Sequence, residues 1–352
     1  MKKPIAVFLT DTHKHKDNLS KVKYIFRQAM SMAETLGVKH IFHGGDVFTN
    51  RVGQNLATLI TMDSIVKELE ERNLTCLAIP GNHDKTDQDA EESYLDLFDC
   101  ENFVVYHDEN VTVLNDFPDI CIGWVPYFTD SYEKRLMKLQ DIQDNVGCEN
   151  NILITHKAFN GVKNNDGSEV SEGVAPSSVK WWDKVLVGHY HDASKVGQNI
   201  YYTGSAYQGN FGENITDKGF TIIYDDGSLE HKQSDFPQYK KVIIDASDSD
   251  AIENELEFYS DSDDYIRFIF QGNKTDLDKI TLSRFTDVGI DCKFESTDDL
   301  DGVVNVEGEN FTQFNSKTIM KHFLKYCKVQ SIPQKKRNFG LKILRGDEQT
   351  TK

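Results

Sequence analysis

Apolar positions along the first two-thirds of the chain follow two alternating rhythms. Short apolar runs at 5–10, 39–42 and 75–79 have the length of buried strands. Between them, Leu19, Val22, Ile25, Phe26, Ala29, Ala33 and Leu36 recur at helical spacing up to Gly37, and Leu59, Ile60, Ile65, Val66 and Leu69 do so within 56–72. This strand–helix–strand–helix–strand order predicts a sheet with parallel strands. A short helix at 91–98, strands at 103–106, 111–114 and 120–125, a charged helix at 132–144 and a strand at 151–155 follow. A Gly/Asn/Asp/Ser-rich loop at 160–172 precedes another apolar run, 184–187, and alternating runs at 199–203, 219–224 and 228–232 read as antiparallel strands. Asp235-Phe236-Pro237-Gln238 reads as a linker to a small α+β domain, with strands at 241–244, 265–270 and 291–294 and helices at 251–258 and 277–285. The tail carries a helix at 316–327 and a basic stretch, Pro333-Gln334-Lys335-Lys336-Arg337. The expected domains are therefore 1–234, 235–300 and 301–352.

Composition narrows the class. The 352 residues suffice for two or three domains, and no apolar run approaches the span of a bilayer. Met1-Lys2-Lys3-Pro4 leads straight into the first strand, so no signal peptide is expected and the cytoplasm (the host's, for a phage-encoded chain) is the expected compartment. Six scattered cysteines without C-x-x-C spacing read as reduced thiols. The net charge of −18 speaks against a broad basic face, so a polyanionic substrate needs metal ions, a local basic patch or a partner.

Five of the apolar runs end in side chains that bind metals: Asp11 and His13, Asp46, Asn82, His156, then His189 and His191. Each has a plainer reading alone. Asp11 and Asp46 suit helix caps, Asn82 and Asp84 suit turns, and His156 suits a hydrogen-bonded core position. Together and in one order, they predict a site where strand ends converge. Carboxylate, amide oxygen and imidazole without thiolate suit Mn²⁺, Fe²⁺ or Zn²⁺. His15, His40, His43 and His107 lack this placement.

Asp11-x-His13, Gly44-Gly45-Asp46, Gly81-Asn82-His83-Asp84, His156 and Gly188-His189-x-His191 resemble the five ordered motifs of the calcineurin-like metallophosphoesterases. The resemblance implies a four-layer α/β/β/α sandwich, with a small α+β capping domain and a C-terminal helical tail here. It implies two divalent ions, Mn²⁺ by family expectation: one on Asp11, His13, Asp46 and His191, the other on Asp46, Asn82, His156 and His189. Two ions about 3.5–4 Å apart suit in-line phosphoester displacement. His83 is then expected to donate a proton or hydrogen bond to the leaving 3′ oxygen, with Asp84 orienting its ring.

Tyr202-Thr203-Gly204-Ser205, Phe211-Gly212-Glu213 and Lys218-Gly219 further resemble SbcD-type nucleases, the lineage that includes phage recombination endonuclease subunits. This implies a nuclease for double-stranded DNA ends, dimeric, working with a coiled-coil ABC-type ATPase. No G-x-x-x-x-G-K-[ST] stretch occurs, so the ATPase is a separate chain, with the 316–327 helix as one docking element or a packing element of the capping domain. Phosphoprotein phosphatases, with Asp-Arg-Gly after the second motif and Glu after Asn-His, fit less well. A phosphodiesterase or phosphatase for small nucleotides or phosphoproteins is the alternative, and a scaffold without turnover is disfavoured because every ligand position is filled.

Overall fold

A computed structural model describes residues 2–130, 132–163, 168–213 and 218–297. The expected tail domain at 301–352, with its helix at 316–327 and its basic stretch, lies outside the described residues. The chain opens with β1 (Pro4–Leu9), α1 (Leu19–Leu36), β2 (His40–His43), α2 (Leu56–Glu71), β3 (Thr75–Ala78) and β4 (Phe103–Val105). Then come β5 (Asn110–Leu114), β6 (Phe117–Val125), α3 (Tyr132–Val146), β7 (Asn150–His156), β8 (Lys184–Gly188), β9 (Ser194–Val196), β10 (Ile200–Tyr202), β11 (Gly219–Tyr224) and β12 (Leu229–Gln233). They form two six-stranded sheets, ordered β12-β11-β1-β2-β3-β4 and β5-β6-β7-β8-β10-β9.

Period-two alternation sorts the side chains of these strands into separate cores. On β1, Val7 and Leu9 pack with Val22, Ile25 and Phe26 of α1. Ala6 and Phe8 point the other way and share a core with Trp124 of β6, Ile154 of β7 and Leu186 of β8. The far side of the second sheet, through Leu153 and Val185, packs on Leu136 and Leu139 of α3. Three cores between four layers make the α/β/β/α sandwich. A one-residue slip would turn each strand inside out, at about 1.5–3 kcal/mol per large side chain exposed. Strands β1 to β4 run parallel, and so do β6, β7 and β8. The turns after β1, β2 and β3 thus leave one sheet at one end, as do those after β7 and β8 in the other.

Four expectations change. The 199–203 run, β10, is parallel to β8 and antiparallel only to β9, because the short β9 turns the chain back first. The expected helix at 277–285 is two short ones, α5 (Lys274–Leu277) and α6 (Ser283–Thr286), in a region that also holds β13 (Tyr239–Asp245), α4 (Ser249–Tyr259), β14 (Tyr265–Gly272) and β15 (Asp291–Ser296). The supposed linker is packed, since Phe236 is buried with its ring 5.3 Å from that of Tyr207. The cysteines are not all reduced thiols: Cys121 and Cys148 form a disulfide, whereas Cys76, Cys100 and Cys292 are free. Pairing of β6 with β7 sets Cys121 opposite Asn151 and brings the turn that carries Cys148 beside it, with Cα atoms 5.6 Å apart. By packing, Met1–Phe270 and Thr281–Lys293 form one compact unit, and Gln271–Ile280 belongs to a second. Among the described residues no helix is long and apolar enough to cross a membrane.

Candidate metal centre

Four of the expected donors sit on backbone that side chains other than glycine rarely adopt: Asp11 (φ 54°), His13 (43°), Asp46 (55°) and His189 (87°). Each such residue costs of order 1–3 kcal/mol and persists only where its surroundings over-determine it. Here a ladder between two turns does so: Asp11 N donates to Gly45 O (3.0 Å), His13 N to Asp46 O (3.0 Å) and Lys14 N to Val47 O (2.7 Å). His189 N donates to Asp11 Oδ2 at 3.0 Å, tying the turn after β8 to the turn after β1. Glycine is required beside them. A Cβ on Gly81 would lie 2.2 Å from Asp46 Oδ1, and one on Gly188 would lie 2.7 Å from His156 Nδ1. Neither carboxylate caps a helix, since Asn18 and Asn55 hold those positions.

The other six expected donors gather around Asp46, which is buried. Its Oδ2 lies 3.7 Å from His13 Nε2 and 3.3 Å from His156 Nε2. On one side, His13 Nε2 is 2.8 Å from His191 Nε2 and 3.7 Å from Asp11 Oδ1. On the other, Asn82 Oδ1 is 3.2 Å from His156 Nε2 and 2.9 Å from His189 Nδ1. Asp11, His13 and His191, and separately Asp11, Asp46 and His156, form groups close enough to share an ion. The outward nitrogens are spoken for: His156 Nδ1 donates to Gly44 O (2.8 Å) and His191 Nδ1 to Glu213 Oε1 (3.2 Å). Such partners leave the inward Nε2 lone pair free for a cation.

The electrostatics fit a bound cation. Burial pushes the imidazoles of His13 and His189 down to about 4, so both are neutral at neutral pH, the form that can bind a cation. Burial also disfavours charge on His156 and Asp46, but their mutual attraction prevails, raising His156 to about 9 and holding Asp46 far below the carboxylate range. The proton on His156 is thus held by the Asp46 charge, and a divalent ion between them would displace it.

His83 and Asp84 lie beside the donors but not as a pair. His83 N donates to Asp46 Oδ1 (2.7 Å), and its Nδ1 donates to Thr49 O (2.6 Å), so a main-chain carbonyl orients the ring. The expectation that Asp84 does so is corrected. The Asp84 carboxylate is fully buried and accepts from Phe48 N (2.8 Å), Gly81 N (2.9 Å) and Val47 N (3.2 Å), clamping two donor turns together. Burial and then the Asp46 charge raise it to about 7. Sequence reasoning missed Glu213 as a site residue; its signal was the quoted Phe211-Gly212-Glu213 segment, whose carboxylate also meets Lys218 Nζ at 3.1 Å. Of the histidines left aside, His43 is a core residue, 3.1 Å from Thr12 Oγ1.

The calcineurin-like phosphoesterase family model matches residues 6–193, just over half of the chain. The chain is 25% identical over 200 residues to exonuclease subunit 1 of Enterobacteria phage T4, covering 56% of each protein. It therefore spans little more than half the length of that relative. Among solved structures, the calcineurin-like phosphoesterase YfkN from Bacillus subtilis aligns at 10% identity and a TM-score of 0.40, over 66% of this chain and 89% of that one. The Pseudomonas putida nuclease MPE aligns at 13% identity and a TM-score of 0.29, over 62% and 84%.

Proposed function

This chain belongs to the calcineurin-like phosphoesterase family, hydrolases of phosphoester bonds, and from that premise we propose that it is a two-metal nuclease acting at DNA ends. The observation that carries the nuclease reading is the similarity to a phage exonuclease subunit. The centre supports it by setting His13 and His156 within 3.7 Å of Asp46 Oδ2, with His191 beside the first and Asn82 and His189 beside the second. Asp11, His13, Asp46 and His191 hold one divalent ion, and Asp46, Asn82, His156 and His189 the other, with Mn²⁺ as the expected metal. Bound ions supply Lewis-acid stabilisation of phosphate charge and a more acidic water.

The chain's own residues supply position and a proton. Hydrolysis adds water across the P–O3′ bond, and the departing oxygen must gain a proton. Thr49 O keeps Nδ1 of His83 a donor, so a proton that His83 delivers would leave from Nε2. Asp84 acts by positioning, through the turns that it clamps. With 57 acidic residues against 39 basic ones, the chain binds DNA weakly alone. We assign the remaining affinity to a homodimer and a coiled-coil ATPase partner, in the cytoplasm of the cell or host, with the capping region at 235–300 and the tail at 301–352 as contributors.

The test is linear duplex DNA with Mn²⁺, with and without the coiled-coil ATPase. We expect metal-dependent shortening, abolished by EDTA and enhanced by the partner. Hydrolysis of small phosphodiesters with duplex and single-stranded DNA left intact under both conditions would overturn the nuclease reading in favour of a small-molecule phosphodiesterase or phosphatase.

A further inference from the structure

We propose that Arg51 binds the non-bridging oxygens of the substrate phosphate at this centre. The inference rests on phosphoester hydrolysis here, not on the substrate being DNA. Arg51 lies five residues beyond Asp46 and lines the cavity of about 660 Å³ onto which Asp11, His13, Asp46, Asn82 and His83 open. Its partners, or their absence, set it apart. Of the six described arginines, Arg27, Arg72, Arg135, Arg267 and Arg284 each pair with a carboxylate. In a chain with 57 acidic residues and 39 basic ones, a carboxylate is seldom far away. Yet Arg51 has no ion pair among the described residues, and its Nε is buried without a hydrogen-bond partner. A guanidinium nitrogen left so has lost its water without gaining a partner, and such a group calls for an explanation.

The surroundings hold Arg51 in place without using its charge. Asn50 Oδ1 accepts from Val52 N (3.1 Å), and Gln54 Nε2 donates to Asn50 O (2.6 Å), which closes the turn. Tyr94 OH donates to Arg51 O at 3.1 Å. Thr49 Oγ1 donates to His13 O at 2.5 Å, fixing the same loop to the turn after β1. The cavity's Lys21, by contrast, spends its ammonium on Tyr239 OH at 2.8 Å. A planar fork of donors with no internal partner, beside a centre for phosphoester hydrolysis, matches two non-bridging oxygens of one phosphate. Its charge also offsets the phosphate's, which the acidic surface does not.

The experiment compares Arg51→Ala and Arg51→Lys with the wild type on bis(p-nitrophenyl) phosphate and on linear duplex DNA, both with Mn²⁺. Binding of inorganic phosphate to the Mn²⁺-loaded proteins is measured by calorimetry. Arg51→Ala should lower kcat/KM on both substrates, and weaken phosphate binding, by roughly 10- to 100-fold. Metal content should stay at the wild-type value, and added guanidinium ion at millimolar concentration should restore part of the loss. Arg51→Lys should fall between, because it keeps the charge and loses the fork. If Arg51→Ala does not fold, Arg51→Lys and Arg51→Gln carry the comparison. Phosphate affinity and kcat/KM within about threefold of the wild type would overturn the inference, as would loss of metal in proportion to activity. A wild type that cleaves the diester but not DNA sinks the nuclease reading alone and leaves the Arg51 comparison readable.

Discussion

On the Asn82–His156–His189 side of Asp46, main chain does much of the holding. His156 is fully buried, ends strand β7 and donates its outward nitrogen to a backbone carbonyl. On the Asp11–His13–His191 side, the imidazoles of His13 and His191 are 18% and 30% exposed, and the outward nitrogen of His191 goes to a side-chain carboxylate. His83 stands on this second side too, its ring 5.0 Å from that of His13. A carbonyl partner belongs to the main chain and is not removed with a side chain, whereas a carboxylate partner is. His13 and His191 thus both keep an edge open to water, and an ion held between them would be expected to exchange faster and meet substrate first. On the function proposed above, the difference would separate a holding half from a working half.

The strongest way to break this division is at the residue common to both halves. Asp46→Asn removes the charge that His13 and His156 share, so both ions should go. With several kcal/mol of transition-state stabilisation per ion and about 1.4 kcal/mol per decade, hydrolysis should fall by about 10⁵-fold or more. Metal content measured by plasma spectrometry should drop below one ion per chain; two retained ions would contradict the shared carboxylate. A smaller effect should come from His83→Ala, which takes the proposed proton donor from the working half and leaves the metal-binding side chains in place. We expect kcat to fall about 10²–10⁴-fold with both ions kept. Loss of an ion in that variant would make His83 part of the holding apparatus instead.

That these seven side chains come together was legible because each follows a short apolar run, and parallel strands deliver their carboxyl ends to one place. The layers were legible from alternation such as Ala6 and Phe8 against Val7 and Leu9. What escaped depends on contacts that no spacing encodes. The ring of His83 meets Thr49 O, 34 residues away, and not its neighbour Asp84. The strained φ values of Asp11 and Asp46 come from a ladder between two turns, invisible until both are folded. Cys121 and Cys148 meet only through the pairing of β6 with β7, and the direction of β10 was hidden because β9 is three residues long. Glu213 belongs to this class as well: it follows no strand, and its role exists only because His191 turns its Nδ1 toward it.

Glu213 therefore offers the finest test of the two halves. Its carboxylate accepts from His191 Nδ1 and pairs with Lys218, which also donates to the His191 carbonyl and, at 3.1 Å, to Ser205 Oγ. Burial disfavours its charge, yet the His191 hydrogen bond and Lys218 bring its carboxyl down to about 2, so it is an anion throughout the working range. That anion makes His191 a stronger donor on its inward nitrogen and fixes the ring. Glu213→Gln keeps the shape and removes the charge, leaving a ring less firmly tied and less basic. Affinity for one ion should weaken about 10- to 100-fold, as measured by metal titration, while the second ion binds as in the wild type. Added metal should recover the activity, because the loss lies in occupancy. Equal weakening of both ions would show that the halves act as one unit; a loss that added metal does not recover would place Glu213 in the chemistry and not behind it.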